Sequence, residues 1–159
     1  MPRALLALLL AVIAAPAAAE PPRILVGGLA GVALQSDQYT GGGRVGLRGV
    51  GLCFLDTELT VLAGRGPDFW TGRFGLHLRS HLDRGGFHAQ LIVGGSLYAY
   101  TPRGALETFC DRADLDCGGT AVGLDLGASL GYRWFGVEYL FGTGDLPLHT
   151  ITTTVSFVL

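Results

Sequence analysis

From Trp70 to Tyr100 the chain changes character at almost every residue. One parity reads Trp70, Gly72, Phe74, Leu76, Leu78, Ser80 and Leu82, and the other Thr71, Arg73, Gly75, His77, Arg79 and His81. After Asp83-Arg84-Gly85-Gly86 the alternation resumes. Phe87, Ala89, Leu91, Val93, Gly95, Leu97 and Ala99 are set against His88, Gln90, Ile92, Gly94, Ser96, Tyr98 and Tyr100. Successive side chains of a strand point to opposite faces, so a sustained period of two predicts a strand with two chemically different faces. The glycine pair between the runs is a turn signal, and the two runs together predict a hairpin.

The same test finds further strands. Cys53, Leu55, Thr57, Leu59, Val61 and Ala63 oppose Phe54, Asp56, Glu58, Thr60 and Leu62. From Thr120 to Tyr132, Val122, Leu124, Leu126, Ala128 and Leu130 oppose Ala121, Gly123, Asp125, Gly127, Ser129 and Gly131. Phe135, Val137, Tyr139 and Phe141 then oppose Gly136, Glu138 and Leu140. The last segment sets Ile151, Thr153, Val155, Phe157 and Leu159 against Thr150, Thr152, Thr154, Ser156 and Val158. Two glycine-rich strands, about 24 to 34 and 43 to 51, complete a set of eight. Their lengths, roughly nine to thirteen residues, suit a tilted strand crossing a bilayer.

The connections differ in length. Ser36 to Gly42, Gly64 to Asp68, Thr101 to Gly119 and Gly142 to Pro147 are the longer ones, whereas those near Gly49 to Gly51, Asp83 to Gly86 and Arg133-Trp134 are tight. Long loops on one rim and short turns on the other are the asymmetry of membrane barrels. The first nineteen residues stand apart from this pattern. Arg3 precedes an apolar run from Ala4 to Ala15, and Pro16 and Ala17-Ala18-Ala19 follow. A basic start, a short apolar core and an A-x-A site predict a secretory signal over residues 1–19, cleaved after Ala19. The run is too short for a spanning helix. Residues 20–159 are then a single exported domain.

Alternation alone does not say which face is outside, because a soluble ligand-binding barrel alternates with its apolar face inward. Composition favours the membrane. Only 15% of residues are charged, so the polar faces carry Gly, Ser, Thr and scattered ions rather than a solvating charge layer. Mean hydropathy is positive although no later run is long enough for a spanning helix. Aromatics gather near strand ends, at Phe69-Trp70, Phe87, Tyr98 and Tyr100, Tyr132 to Phe135, Tyr139, Phe141 and Phe157, as they do in interfacial girdles. The expected fold is therefore all-β, an antiparallel up-and-down transmembrane barrel of about eight strands.

The chain end carries a resemblance. Ile151, Val155, Phe157 and Leu159 give alternate hydrophobic positions ending at the terminal residue, with an aromatic two residues before it. This resembles the C-terminal assembly signal of outer-membrane proteins. With the signal segment and eight strands, the mature chain resembles the small bacterial outer-membrane β-barrel superfamily. The resemblance implies an outer-membrane location, contact with outer-membrane lipid and with the assembly machinery during biogenesis, and a monomer. Net charge of −2 gives no footprint for nucleic acid.

The polar parity places Arg44, Arg48, Asp56, Glu58, Arg73, His77, Arg79, His81, His88, Gln90, Asp125 and Glu138 inside the barrel. Eight strands leave room only for side chains to fill the interior, and unpaired buried charge is costly, so a paired, plugging network is expected. A narrow proton or ion path along His77, His81 and His88 is the alternative. Three cysteines in an exported chain suggest one bridge, expected between Cys110 and Cys117 in a hairpin-like loop, with Cys53 a free thiol on the lipid face.

Enzymatic work on lipid A would need a hydroxyl beside a histidine and a carboxylate. Ser80 and His81, like His149 and Thr150, are adjacent in sequence and so face opposite ways; no catalytic residues are assigned. Asp111, Asp114 and Asp116 match no calcium loop, and neither Gly27-Gly28 nor Gly41 to Gly43 leads into a helix as a phosphate cradle does. No metal or cofactor is expected. The reading is a non-enzymatic barrel with a structural or surface-interaction role carried by its loops.

Overall fold

A computed structural model describes residues 23–34, 36–49, 55–143 and 148–159. The predicted signal segment and Cys53 lie outside the described residues. Eight strands follow one another: β1 (Arg23–Ala33), β2 (Gln38–Arg48), β3 (Leu55–Arg65), β4 (Phe69–Arg84), β5 (Phe87–Pro102), β6 (Gly119–Tyr132), β7 (Phe135–Gly142) and β8 (Leu148–Val158). Each pairs antiparallel with its neighbours in sequence, and β8 returns to β1 to close the barrel. The seam sets Leu25 opposite Val158 and Ala33 opposite Thr150.

Local chemistry fixes the turns. Gly85 and Gly86 both have positive φ, 61° and 86°, and join Arg84 to its partner Phe87. A two-residue turn with both central residues left-handed matches the natural twist of a hairpin. The tight turn between β6 and β7 uses Arg133 at φ 55°.

The alternation predicted from sequence is present around the wall, and it is inside out relative to a soluble protein. Val122 and Leu124 are 76% and 69% exposed, while Glu58 and Asp125 are 1% and 0% exposed. A surface of that kind needs an apolar solvent. Aromatics bound it on both rims. Phe69 and Tyr100 meet edge to face at 6.1 Å on the loop side, and Phe87 and Tyr132 pack at 4.8 Å on the turn side. Among the described residues no helix is long and apolar enough to cross a membrane, which says nothing against crossing by strands.

Three expectations need correction. First, β2 runs from Gln38 to Arg48 rather than from about 43 to 51, so Gly41 and Gly42 lie inside a strand rather than in a loop. The wall is crowded there: a Cβ on Gly42 would lie 1.9 Å from the carbonyl oxygen of Val61. Gly31 is held as tightly, with Ile151 O at 1.9 Å from a Cβ, whereas a Cβ on outward-facing Gly28 would meet nothing closer than 3.9 Å. Gly31→Ala should therefore cost about 1–3 kcal/mol by overpacking at the seam, and Gly28→Ala much less. Urea unfolding of the two variants in micelles checks this; equal midpoints would contradict the crowding.

Second, the segment between β5 and β6 is not a hairpin-like loop, because Gly104–Ala113 forms a helix, α1. Leu106, Phe109, Cys110 and Ala113 recur at the helical spacing i, i+3, i+4, i+7, a signal that alternation with period two does not register. The helix ends at Asp114, which is left-handed at φ 55°, and the Leu115 N–H returns to the Cys110 carbonyl at 3.0 Å. A ten-residue helix is marginal in isolation. Here Cys110, in its last turn, is bridged to Cys117 with Cα atoms 6.1 Å apart. Closing so short a ring contributes about 2–3 kcal/mol by the chain-entropy model. Cys110→Ser with Cys117→Ser should leave heat-modifiable gel mobility intact but expose the segment to protease; unchanged protection would show that the bridge does not hold the helix.

Third, Tyr98 does not belong to a girdle. It is 5% exposed and points into the lumen.

Candidate functional site: a charge-filled lumen

Inward-facing positions of β2, β3, β4, β6 and β7 carry the ions, and the register brings them to three levels. Nearest the turn side, the Arg48 guanidinium pairs with Asp83 and lies 3.9 Å from Asp56. The other oxygen of Asp56 accepts from the Gly49 N–H at 3.1 Å. In the middle, Arg79 donates to Glu58 at 2.8 Å and to Glu138 at 2.7 Å. Arg44 approaches the same two carboxylates at 3.5 and 3.3 Å and also donates to Ser156. Two arginines and two glutamates, drawn from four strands, thus cross-link the barrel through its centre.

Toward the loop side, Asp125 is the hub. Arg73 reaches one of its oxygens at 2.7 Å and Tyr98 donates to the same oxygen at 2.8 Å. The His77 ring contacts the other at 2.9 Å, and Ser96 donates to that oxygen too. His77 also meets the Thr60 hydroxyl at 3.3 Å, and Thr60 donates to Glu58 at 3.0 Å. The hub and the central cluster are therefore one connected network. Low dielectric makes each of these bonds strong and each missing partner costly.

The sequence-derived lumen residues divide as follows. Arg44, Asp56, Glu58, Arg73, His77, Arg79, Asp125 and Glu138 are buried. Arg48 and His88 are half-buried beside a vestibule of about 310 Å³ that opens on the turn side. The side chain of His81 lies outside the described part of the structure. His77 and His88 do not line a common path: His77 is locked on Asp125, and His88 belongs to the vestibule. Thr60, Ser96, Tyr98 and Ser156 were missed as network members. All four share the inward parity of their strands, which was the signal available for them.

Thr60, His77 and Asp125 line up as hydroxyl, imidazole and carboxylate, but they are 3%, 1% and 0% exposed. No substrate carbonyl reaches a hydroxyl sealed in this way, so the arrangement serves packing and charge balance. Asp111, Asp114 and Asp116 stay exposed, and among the described residues no three His, Cys, Asp or Glu side chains group as a metal site. Of the chain-end residues, Ile151, Phe157 and Leu159 are exposed on the outer surface and Val155 is half-buried.

No protein-family model matches the sequence, and no curated protein matches it. Solved structures do. The N-terminal β-barrel domain of Pseudomonas aeruginosa OprF superposes with a TM-score of 0.68 at 13% identity, covering 86% of this chain and 97% of that one. Neisserial surface protein A (NspA) gives 0.62 at 11% identity, covering 85% of this chain and 95% of that one. A barrel from the de novo design of transmembrane β-barrels gives 0.51 at 9% identity, covering 88% and 98%. The chain thus has the fold of the small eight-stranded outer-membrane β-barrels, and its apolar belt and aromatic girdles suit that fold to a lipid bilayer.

Proposed function

We propose that this protein is a sealed, non-enzymatic outer-membrane barrel that holds a disulfide-stapled helix at the cell surface for structural or interaction purposes. One observation carries the reading: the Arg44, Glu58, Arg79 and Glu138 cluster fills the lumen from wall to wall. With the interior occupied, the loop rim is the part left to meet other molecules. There Phe109 and Leu115 are 60% and 56% exposed, among the carboxylates of Glu107, Asp111, Asp114 and Asp116. The closed ladder leaves no strand edge for a second copy, which supports a monomer. The outward residues of β8 suit recognition by the assembly machinery.

Purified protein in planar bilayers should give a flat baseline. Stable single-channel openings would overturn the sealed lumen and favour a conducting path. Lipid A from a deletion strain should have an unchanged mass spectrum; a shifted acyl pattern would instead support a lipid-modifying enzyme.

A further inference from the structure

Outside the barrel, at its loop-side rim, Arg65 at the end of β3 is the ladder partner of Trp70 in β4. Arg103, just beyond β5, comes to the same ring. The two guanidinium carbons lie 5.1 and 5.2 Å from the Trp70 ring centroid. Arg103 is fixed there, donating from its side chain to Gly66 O at 2.9 Å and from its N–H to Asp68 O at 2.8 Å. Each lumen arginine has a carboxylate partner. Among the described residues Arg65 and Arg103 have none; Asp68, in the adjoining turn, offers Arg103 its main-chain carbonyl and forms no ion pair.

The wall below is recessed. The next outward row is Ala63, Gly72 and Ala99, and a Cβ on Gly72 would meet nothing within 4 Å. Beneath that row a lipid-facing groove of about 470 Å³ runs between Phe74 and Leu76 on one side and Val122 and Leu124 on the other, with Leu97 and Gly95 between them. From the rim downward the order is two cations without a carboxylate partner on an indole, a row of small side chains, and an apolar groove.

We propose that Arg65, Trp70 and Arg103 form a headgroup clamp for a phosphorylated glycolipid of the outer leaflet, the lipid A part of lipopolysaccharide. The guanidiniums take a phosphate, a match of planar donors to anion geometry that lysine would not provide. The sugar occupies the recess and an acyl chain enters the groove. A glycerophospholipid has no ring to fill the Ala63, Gly72 and Ala99 step, which is why the glycolipid is the better match.

The chain has two tryptophans, so Trp134→Phe leaves Trp70 as the sole indole reporter in the full mature protein. Its fluorescence in micelles is titrated with bisphosphorylated lipid A, with the same lipid A after phosphate removal, and with phosphatidylglycerol. Lipid A should give a saturable change that phosphate removal abolishes. In the Trp134→Phe background, Arg65→Ala with Arg103→Ala should weaken it about 30-fold, at ~1 kcal/mol per surface arginine, while heat-modifiable mobility is kept. An equal response to dephosphorylated lipid A would overturn the clamp and leave Trp70 a simple interface anchor. Equal affinity for phosphatidylglycerol would overturn the glycolipid assignment. If the double variant fails to fold, the comparison of the three lipids on the parent protein decides alone.

Discussion

Removing Phe157, Val158 and Leu159 should abolish the heat-modifiable membrane species and leave protease-sensitive chain in the periplasm. Phe157 and Val158 are the ladder partners of Val26 and Leu25, and the Leu159 N–H donates to the Ile24 carbonyl at 2.8 Å. Their loss unzips the turn-side end of the β1–β8 seam. In hydrocarbon each backbone group left without a partner costs several kcal/mol, so a few missing ladder bonds outweigh the marginal stability of a small domain. The outer apolar contacts of Phe157 and Leu159, 55% and 78% exposed to lipid, go with them. Shortening the connection that carries α1 should have no such effect, since it contributes nothing to the seam. Normal membrane yield of the truncated chain, read by fractionation and gel mobility, would show that closure does not depend on these residues.

The second large effect belongs to the centre of the lumen. Arg79→Ala should destabilise the barrel by about 3–5 kcal/mol, the usual cost of stripping one partner from a buried ion cluster. The variant leaves Glu58 and Glu138 facing each other with only Arg44, at 3.5 and 3.3 Å, to compensate both. Neutralising one survivor as well, with Glu138→Gln, should recover much of the loss, because Arg44 and Glu58 then remain as a balanced pair. Equilibrium urea unfolding in micelles measures both. A single-variant loss below about 1 kcal/mol would mean that water already solvates the cluster, and the lumen would then be wetter than its packing indicates.

How far the sequence alone reveals this molecule depends on which link of the chain is asked about. Strand identity and facing are written in period two, because each side chain of β3 to β8 must answer to lipid or to a polar interior. The hairpin at Gly85-Gly86 is legible for the same reason, since two left-handed residues in a row leave little other choice. β2 was displaced because Gly41 and Gly42 read as loop, while close backbone approach across the wall also demands glycine at Gly42. The helix α1 does not show in period two; Leu106, Phe109, Cys110 and Ala113 carry it at helical spacing instead, and the covalent bridge Cys110–Cys117 marks its last turn.

The lumen shows the same division. Parity told which residues point inward, but not who pairs with whom. That Arg79 rather than Arg73 joins Glu58 to Glu138, and that Tyr98 leaves the aromatic set for Asp125, follow from register and barrel curvature. Both emerge only when all eight strands are placed together.

The connectivity of the wall also sets how it can fold. Every ladder but one joins strands consecutive in the chain, and the exception pairs Val26 with Phe157. Consecutive hairpins close over short distances and can be added one at a time. The long-range search falls on a single event, whose entropic cost grows only as the logarithm of the intervening length. An open intermediate would therefore carry two raw edges and nearly all other native contacts. The slow step of assembly then becomes one encounter between the chain's two ends.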